Sequence, residues 1–275
     1  MDDGGNLTRS NDDDSSQSLS SPNGETRDRS IRVALGLYSV REECERDWPG
    51  TLKAVAEMGY EGVEFAGYHG WSAKALRQIL ADNGLGIASC HVGLNMLTDD
   101  ELKKTVEFHQ ELGVKLLVIP YHEETSAEGW RNFAADLAEI SDRLAAYGMQ
   151  VGYHNHTHEM RPVDGSIPWE IVFDNTPFAV SHQPDTGHMV RGGRDPAAYI
   201  RRYRGRTRTV HLKEYDPENE HAILGEGKVN WEAVFHACRE AGGTEWYIIE
   251  AENCPCPPLE CVAVCLRNLE KLRGS

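Results

Sequence analysis

Eight short apolar runs recur along this chain, beginning near Arg32, Glu61, Leu85, Val114, Gln150, Phe178, Thr207 and Glu245. Their spacing, roughly 24 to 38 residues, is about one strand plus one helix plus two loops. Runs such as VKLLVIP and WYIIE are continuously apolar, as strands covered on both faces must be. Helical patterns lie between them. From Ser126 to Tyr147, the residues Trp130, Phe133, Leu137, Ile140 and Leu144 recur at steps of three and four, and Gly148 stops the pattern. Thr98 and Glu101 have the spacing of a capping box for a helix that ends at Gly113. Asn230 reads as an N-cap ahead of Trp231, with Gly242 and Gly243 closing that helix. Strict alternation of strand and helix means a parallel sheet. Eight units close a cylinder; an open doubly wound sheet is the alternative, but no glycine-rich nucleotide turn follows the first strand. The expected fold is therefore α/β, a single (β/α)8 TIM barrel over residues 31–275.

Residues 1–30 contain no apolar run and no aromatic residue, so they are expected to form a disordered polar tail. The tail has neither an apolar signal core nor the Arg-rich character of a transit peptide, and no run is long enough to span a membrane, so a cytoplasmic location is expected. With 28 basic and 44 acidic residues the net charge is −16, which argues against a nucleic acid partner. Seven cysteines, an odd number, are expected to be reduced, including Cys261 and Cys265 one helical turn apart.

In such a barrel the functional face lies at the C-terminal ends of the strands. Glu159, Asp185, His211 and Glu250 end four consecutive runs. Carboxylates gathered in a closed mouth repel one another unless a cation holds them, so these four are the candidate ligands of a divalent metal: Mn, Mg, Co or Zn. Five of the twelve histidines fall between His154 and His188. Period-two alternation puts His154 and His156 on one face, and His211 and Lys213 on another shared face. Glu64, His91 and His188 also leave strand ends and are candidate substrate contacts. His109 reads as a structural histidine, and His122 as part of a solvated loop.

At these positions the chain resembles the xylose isomerase-like barrel superfamily, in its sugar phosphate isomerase/epimerase branch. The matching segments are LGLYSVREE (35–43), MGYEGVEFAGYHG (58–70), YHNHTHE (153–159), PDTGHMV (184–190), VHLKEYD (210–216), LGEGKVNW (224–231) and IIEAE (248–252). The resemblance implies metal ligation by Glu159, Asp185, His211 and Glu250, and a substrate contact at Glu226. Many relatives place the first ligand Glu earlier in strand five, about where His154 or its neighbours stand; here Glu159 comes later, as in members similar to inosose dehydratase.

The resemblance implies an isomerase or epimerase that works on a keto-sugar or sugar derivative through a metal-stabilised enediolate. Glu159 and Glu250 would move the proton, aided by His156 and Lys213. The alternative is a dehydratase or lyase that expels a β-substituent, with His156 or Lys213 as base or leaving-group acid. A sugar-binding subunit dependent on a partner chain is a third reading. A small carbohydrate is the expected ligand, and homo-oligomers are common among such barrels. An endonuclease of the same barrel is disfavoured by the negative charge and by too few ligands for three zinc ions.

Overall fold

The computed structural model describes Met1 and residues 31–274. The polar tail expected over 1–30 therefore lies, Met1 apart, outside the described residues. Eight strands run in parallel: β1 (Arg32–Gly36), β2 (Gly62–Phe65), β3 (Gly86–His91), β4 (Leu116–Ile119), β5 (Gln150–His154), β6 (Ser181–Gln183), β7 (Thr209–Leu212) and β8 (Trp246–Ile249). Ladders join them in the order β6-β5-β4-β3-β2-β1-β8-β7. The remaining seam closes through a parallel bridge between Asp185 and His211, where the His211 amide donates to the Pro184 carbonyl at 2.9 Å. The result is the expected (β/α)8 barrel, with its seam stitched at two of the candidate site residues.

Among the described residues ten α-helices accompany the strands: α1 (Arg41–Arg46), α2 (Trp48–Met58), α3 (Ala73–Asp82), α4 (Asp99–Leu112), α5 (Ala127–Ala145), α6 (Pro168–Asp174), α7 (Thr186–Arg191), α8 (Pro196–Arg202), α9 (Trp231–Ala237) and α10 (Pro258–Gly274). Ser126 caps α5 by accepting from the Gly129 amide at 3.0 Å, and the predicted stripe of Trp130, Phe133, Leu137, Ile140 and Leu144 is buried. Burying each such side chain stabilises the fold by about 1.5–3 kcal/mol. Asn230 caps α9 as expected. The capping box at α4 does not form. The helix starts after Thr98, but a 3-10 turn at Leu94–Leu97 offers the Asn95 carbonyl, and the Thr98 hydroxyl donates there at 2.9 Å.

The barrel interior changes character along its axis. A small apolar cluster of Ala34, Ala88, Trp246 and Ile248 stands apart from the large core between sheet and helices. Gly62 is what admits the Trp246 indole: a Cβ there would sit 2.6 Å from its ring. Above this plug the inward positions turn polar. One expectation about the surroundings is corrected: Cys254 and Cys261 form a disulfide, because the loop after β8 folds back on the first turn of α10 and brings their Cα atoms to 6.0 Å. Cys44, Cys90, Cys238, Cys256 and Cys265 are free thiols. No helix among the described residues is long and apolar enough to cross a membrane.

Candidate functional site

Above the plug lies a network built on Glu64, the inward carboxylate of β2. Its Oε2 accepts from the Ser89 hydroxyl at 2.6 Å and from the Gln183 amide at 2.7 Å. Its Oε1 lies 2.7 Å from His211 Nε2 and 3.1 Å from His91 Nε2. Burial alone would raise this carboxyl, but the two imidazoles and the Ser89 hydroxyl outweigh it and hold the pKa at about 2. Glu64 and His91 were both expected to face substrate. That is corrected for Glu64: both oxygens are taken by protein donors and only 2% of the residue is exposed. It meets His211 Nε2 instead. His91 Nε2 also lies 2.9 Å from Gln183 Oε1, and its ring stacks on His211 with centroids 5.4 Å apart.

One layer higher, Asp185, His211 and Glu250 present ligand atoms that all lie within 4.8 Å of one another. Each residue is placed by its own element. Asp185 lies just past the end of β6 and caps α7, with Oδ1 accepting the His188 amide at 2.7 Å while its own amide donates to Asn155 Oδ1 at 2.9 Å. Asp185 Oδ2 is buried and has no hydrogen-bond partner. His211 sits within β7, and Nδ1 lies 2.8 Å from Glu250 Oε2. That pair is close but not aligned as a hydrogen bond, since Nδ1 has no bonded partner by donor geometry. Burial lowers the basicity of His211, but Glu64 and Glu250 override it and push the pKa up to about 10. Burial raises the Asp185 carboxyl, with Lys213 opposing and Glu250 reinforcing. Glu250 is held well below the usual carboxylate range despite burial, by Lys213 and His211.

The outer layer carries Lys213, His156 and His188. Lys213 Nζ donates to Glu250 Oε1 at 3.0 Å and approaches Glu252 Oε1 at 2.9 Å. It also lies 3.3 Å from His188 Nε2, which must accept, so His188 Nδ1 carries the proton and donates to Thr157 Oγ1 at 3.0 Å. Burial favours the neutral amine, yet Glu250, Asp185 and Glu252 together raise the Lys213 pKa. Burial lowers His156 to about 4 against the pull of Glu250, and lowers His188 to about 2 with help from Lys213. His156 Nδ1 is buried without a partner, and its ring stands 4.8 Å from that of His188. A cavity of about 400 Å3 opens over this layer, bordered by His188, Lys213, Tyr215, Ile223, Glu250 and Glu252.

Glu159 stands apart from this gathering. It is fully buried; Oε1 accepts from the Tyr153 hydroxyl at 2.6 Å and Oε2 from the His156 amide at 2.8 Å. Neither Glu159 nor His154 is among the residues whose ligand atoms converge with Asp185, but His154 converges with His211, which is. Glu226 is exposed and turns back toward the Ile223 amide at 3.4 Å, so it does not border the cavity. Glu214 organises that loop instead. Its two oxygens accept from the Tyr215, Gly225 and Val229 amides and from the Trp231 indole. The expected solvated loop at His122 is corrected too, since its ring stacks on Phe133 at 3.8 Å. His109 is the buried structural residue expected, set between Tyr68 and the Thr105 carbonyl. Roles for Asn155, Gln183, Ser89 and Glu214 were not assigned from sequence. Period two carried a signal for Ser89, two residues before His91 on the same face of β3.

Comparison with known proteins supports the barrel fold. The family model for the xylose isomerase-like TIM barrel matches residues 52–267. Among curated proteins, an inosose dehydratase of Lacticaseibacillus casei is 26% identical over 247 residues, covering 74% of this chain and 82% of its own. Among solved structures, a sugar phosphate isomerase/epimerase from Parabacteroides distasonis superposes with a TM-score of 0.78 at 23% identity, covering 88% of this chain and 94% of its own. The IOLI protein, solved with a bound zinc atom, has a TM-score of 0.69 at 15% identity over 89% of this chain and 98% of its own. This chain belongs to the xylose isomerase-like TIM barrel family.

Proposed function

We propose that the chain is a metal-dependent enzyme that takes a proton from the carbon beside a carbonyl of a keto-polyol or keto-sugar, and then expels water from the neighbouring carbon. The donor set fits a divalent cation. Asp185 Oδ2 and His211 Nδ1 are buried without hydrogen-bond partners, and one ligand atom from each of Asp185, His211 and Glu250 lies within 4.8 Å of the others. Neighbouring ligand atoms around such an ion sit about 3 Å apart, close to the 2.8 Å between His211 Nδ1 and Glu250 Oε2. Bound there, the ion would polarise the carbonyl oxygen and lower the barrier to losing the adjacent proton. Asp185, His211 and Glu250 would hold it, and Glu64 would keep the His211 ring turned toward it.

The observation that carries elimination over epimerisation is the position of Glu159. A two-carboxylate epimerase needs an acid and a base on opposite faces of its substrate, and Glu159 is occupied by Tyr153 and the His156 amide. The cavity is bordered instead by the His188 imidazole and the Lys213 ammonium beside Glu250, and the His156 ring stands 4.8 Å from that of His188. His156, kept neutral by burial, accepts the proton at a ring nitrogen. Lys213, kept charged by Glu250 and Glu252, supplies a proton to the departing hydroxyl. The curated inosose dehydratase relative supports the same choice. Incubation with a keto-inositol, which carries a hydroxyl on the carbon β to its carbonyl, in deuterated water tests it. Loss of water, with a conjugated enone product, is the expected result. Deuterium uptake into a substrate or isomer of unchanged composition would return the assignment to epimerase or isomerase.

A further inference from the structure

Within that metal reading strand five has no assigned ligand, and we propose that the His154 imidazole supplies it in place of a carboxylate. His154 is the last residue of β5 and is 2% exposed. Its ring lies 4.5 Å from that of His211 and 5.2 Å from that of His91. A ring nitrogen of His154 falls within 4.8 Å of ligand nitrogens on both neighbours. His211 thus belongs to two gatherings at once, one with Asp185 and Glu250, the other with His91 and His154. The three imidazoles are not equivalent. His91 Nε2 is engaged by Glu64 and Gln183, and His211 Nε2 by Glu64. His154 Nδ1 has no hydrogen-bond partner although it is buried. A buried imidazole nitrogen without a partner is costly, and a cation coordinated there removes the cost.

Glu159, the competing residue from the turn after that strand, could reach an ion only by abandoning the Tyr153 hydroxyl, which would keep only its 3.3 Å contact to the His122 carbonyl, and the His156 amide, which would lose its acceptor. In its present place it holds the turn after β5, which carries His156 and Asn155, and Asn155 in turn holds Asp185. The resulting set is two imidazoles and two carboxylates. It balances the charge of a divalent ion, whereas one imidazole and three carboxylates would leave an excess negative charge. Nitrogen-rich sets suit zinc and cobalt better than magnesium or manganese.

The test uses the full chain stripped with a chelator and titrated with Co(II), following visible absorption and stoichiometry, with circular dichroism to verify folding. Wild type and Glu159→Gln should each bind one equivalent with the same spectrum. His154→Ala should weaken binding at least ten-fold and shift the spectrum. X-ray absorption of the cobalt-loaded wild type should count two imidazoles, a readout that needs no variant. One imidazole, or a Glu159→Gln protein that loses the ion while His154→Ala keeps it, would overturn the assignment. Glu250→Gln separates the two levels: full-strength binding by that variant, or no binding by wild type, would defeat the metal reading itself.

Discussion

The two ends of this barrel bury charge in opposite ways. At the N-terminal end Arg206 is 8% exposed, and each arm of its guanidinium has a partner. It donates to the Val180 carbonyl at 3.1 Å, to the Phe173 carbonyl at 2.8 Å and to Thr176 Oγ1 at 2.8 Å. At the C-terminal end the buried charges are mostly acidic, and Asp185 Oδ2, His211 Nδ1, His154 Nδ1 and His156 Nδ1 have no hydrogen-bond partner. Both ends have hollows, about 350 Å3 beside Arg206 and Arg208 and about 400 Å3 over Lys213 and Glu250. Size does not distinguish them. A fully satisfied buried ion holds a fold together, whereas unsatisfied atoms converging within one ligand sphere mark a place where something else binds.

Substitutions at the two ends should therefore fail differently. Glu250→Gln should reduce turnover on the order of a thousand-fold and weaken metal binding with little change in Tm; near-normal activity would remove Glu250 from the site. Arg206→Ala should do the reverse. It strands two buried carbonyls and should cost ~3 kcal/mol, roughly 6–12 °C in Tm, while calorimetric titration finds metal stoichiometry unchanged in the folded protein. Glu64→Gln sharpens the contrast, since it touches His211 and not the cavity. Metal affinity should fall about 10- to 100-fold, and a loss confined to Tm would make Glu64 merely structural.

Two smaller effects follow. His182 is buried away from the mouth, taking the Trp169 indole on Nε2 and meeting Thr207 Oγ1 through Nδ1. Burial, aided by Arg206, lowers its pKa well below the usual 6.5. The unfolded chain then binds the extra proton first, so stability is full above about pH 6.5 and declines as pH falls below it. Thermal melts of wild type and His182→Gln from pH 7.5 to 5 should show a shallower acid decline in the variant. Equal slopes would mean that His182 does not contribute. Glu226→Gln, at an exposed position, should leave kcat and KM within ~2-fold of wild type; a larger change in KM would return Glu226 to the substrate.

Much of the architecture was legible because it is local. Each of the eight strands begins within a few residues of its predicted start, and the α5 stripe and the Asn230 cap formed as read. Asp185, His211 and Glu250 were legible as a group because a strand end in a barrel has one destination. Period-two alternation, however, says which way a side chain points and not which atoms meet across the barrel. Glu64 and Glu159 look alike in sequence, each an acid near a strand end. Glu64 lies within β2 and comes under His211, whereas Glu159 lies in the 3-10 turn after β5 and meets Tyr153. The Cys254–Cys261 disulfide and the Glu214 loop clasp likewise depend on how loops fold back, which has no periodic signature. Thr98 had the right spacing for a box and lost its hydroxyl to a nearer carbonyl.

Anomalous diffraction from crystals of the full chain grown with manganese or zinc would test the central claim most directly. We expect one peak per chain, at about 2.0–2.3 Å from Asp185 Oδ2, His211 Nδ1 and a Glu250 oxygen. A peak elsewhere, or a well-ordered mouth that excludes the ion at saturating metal, would contradict the account.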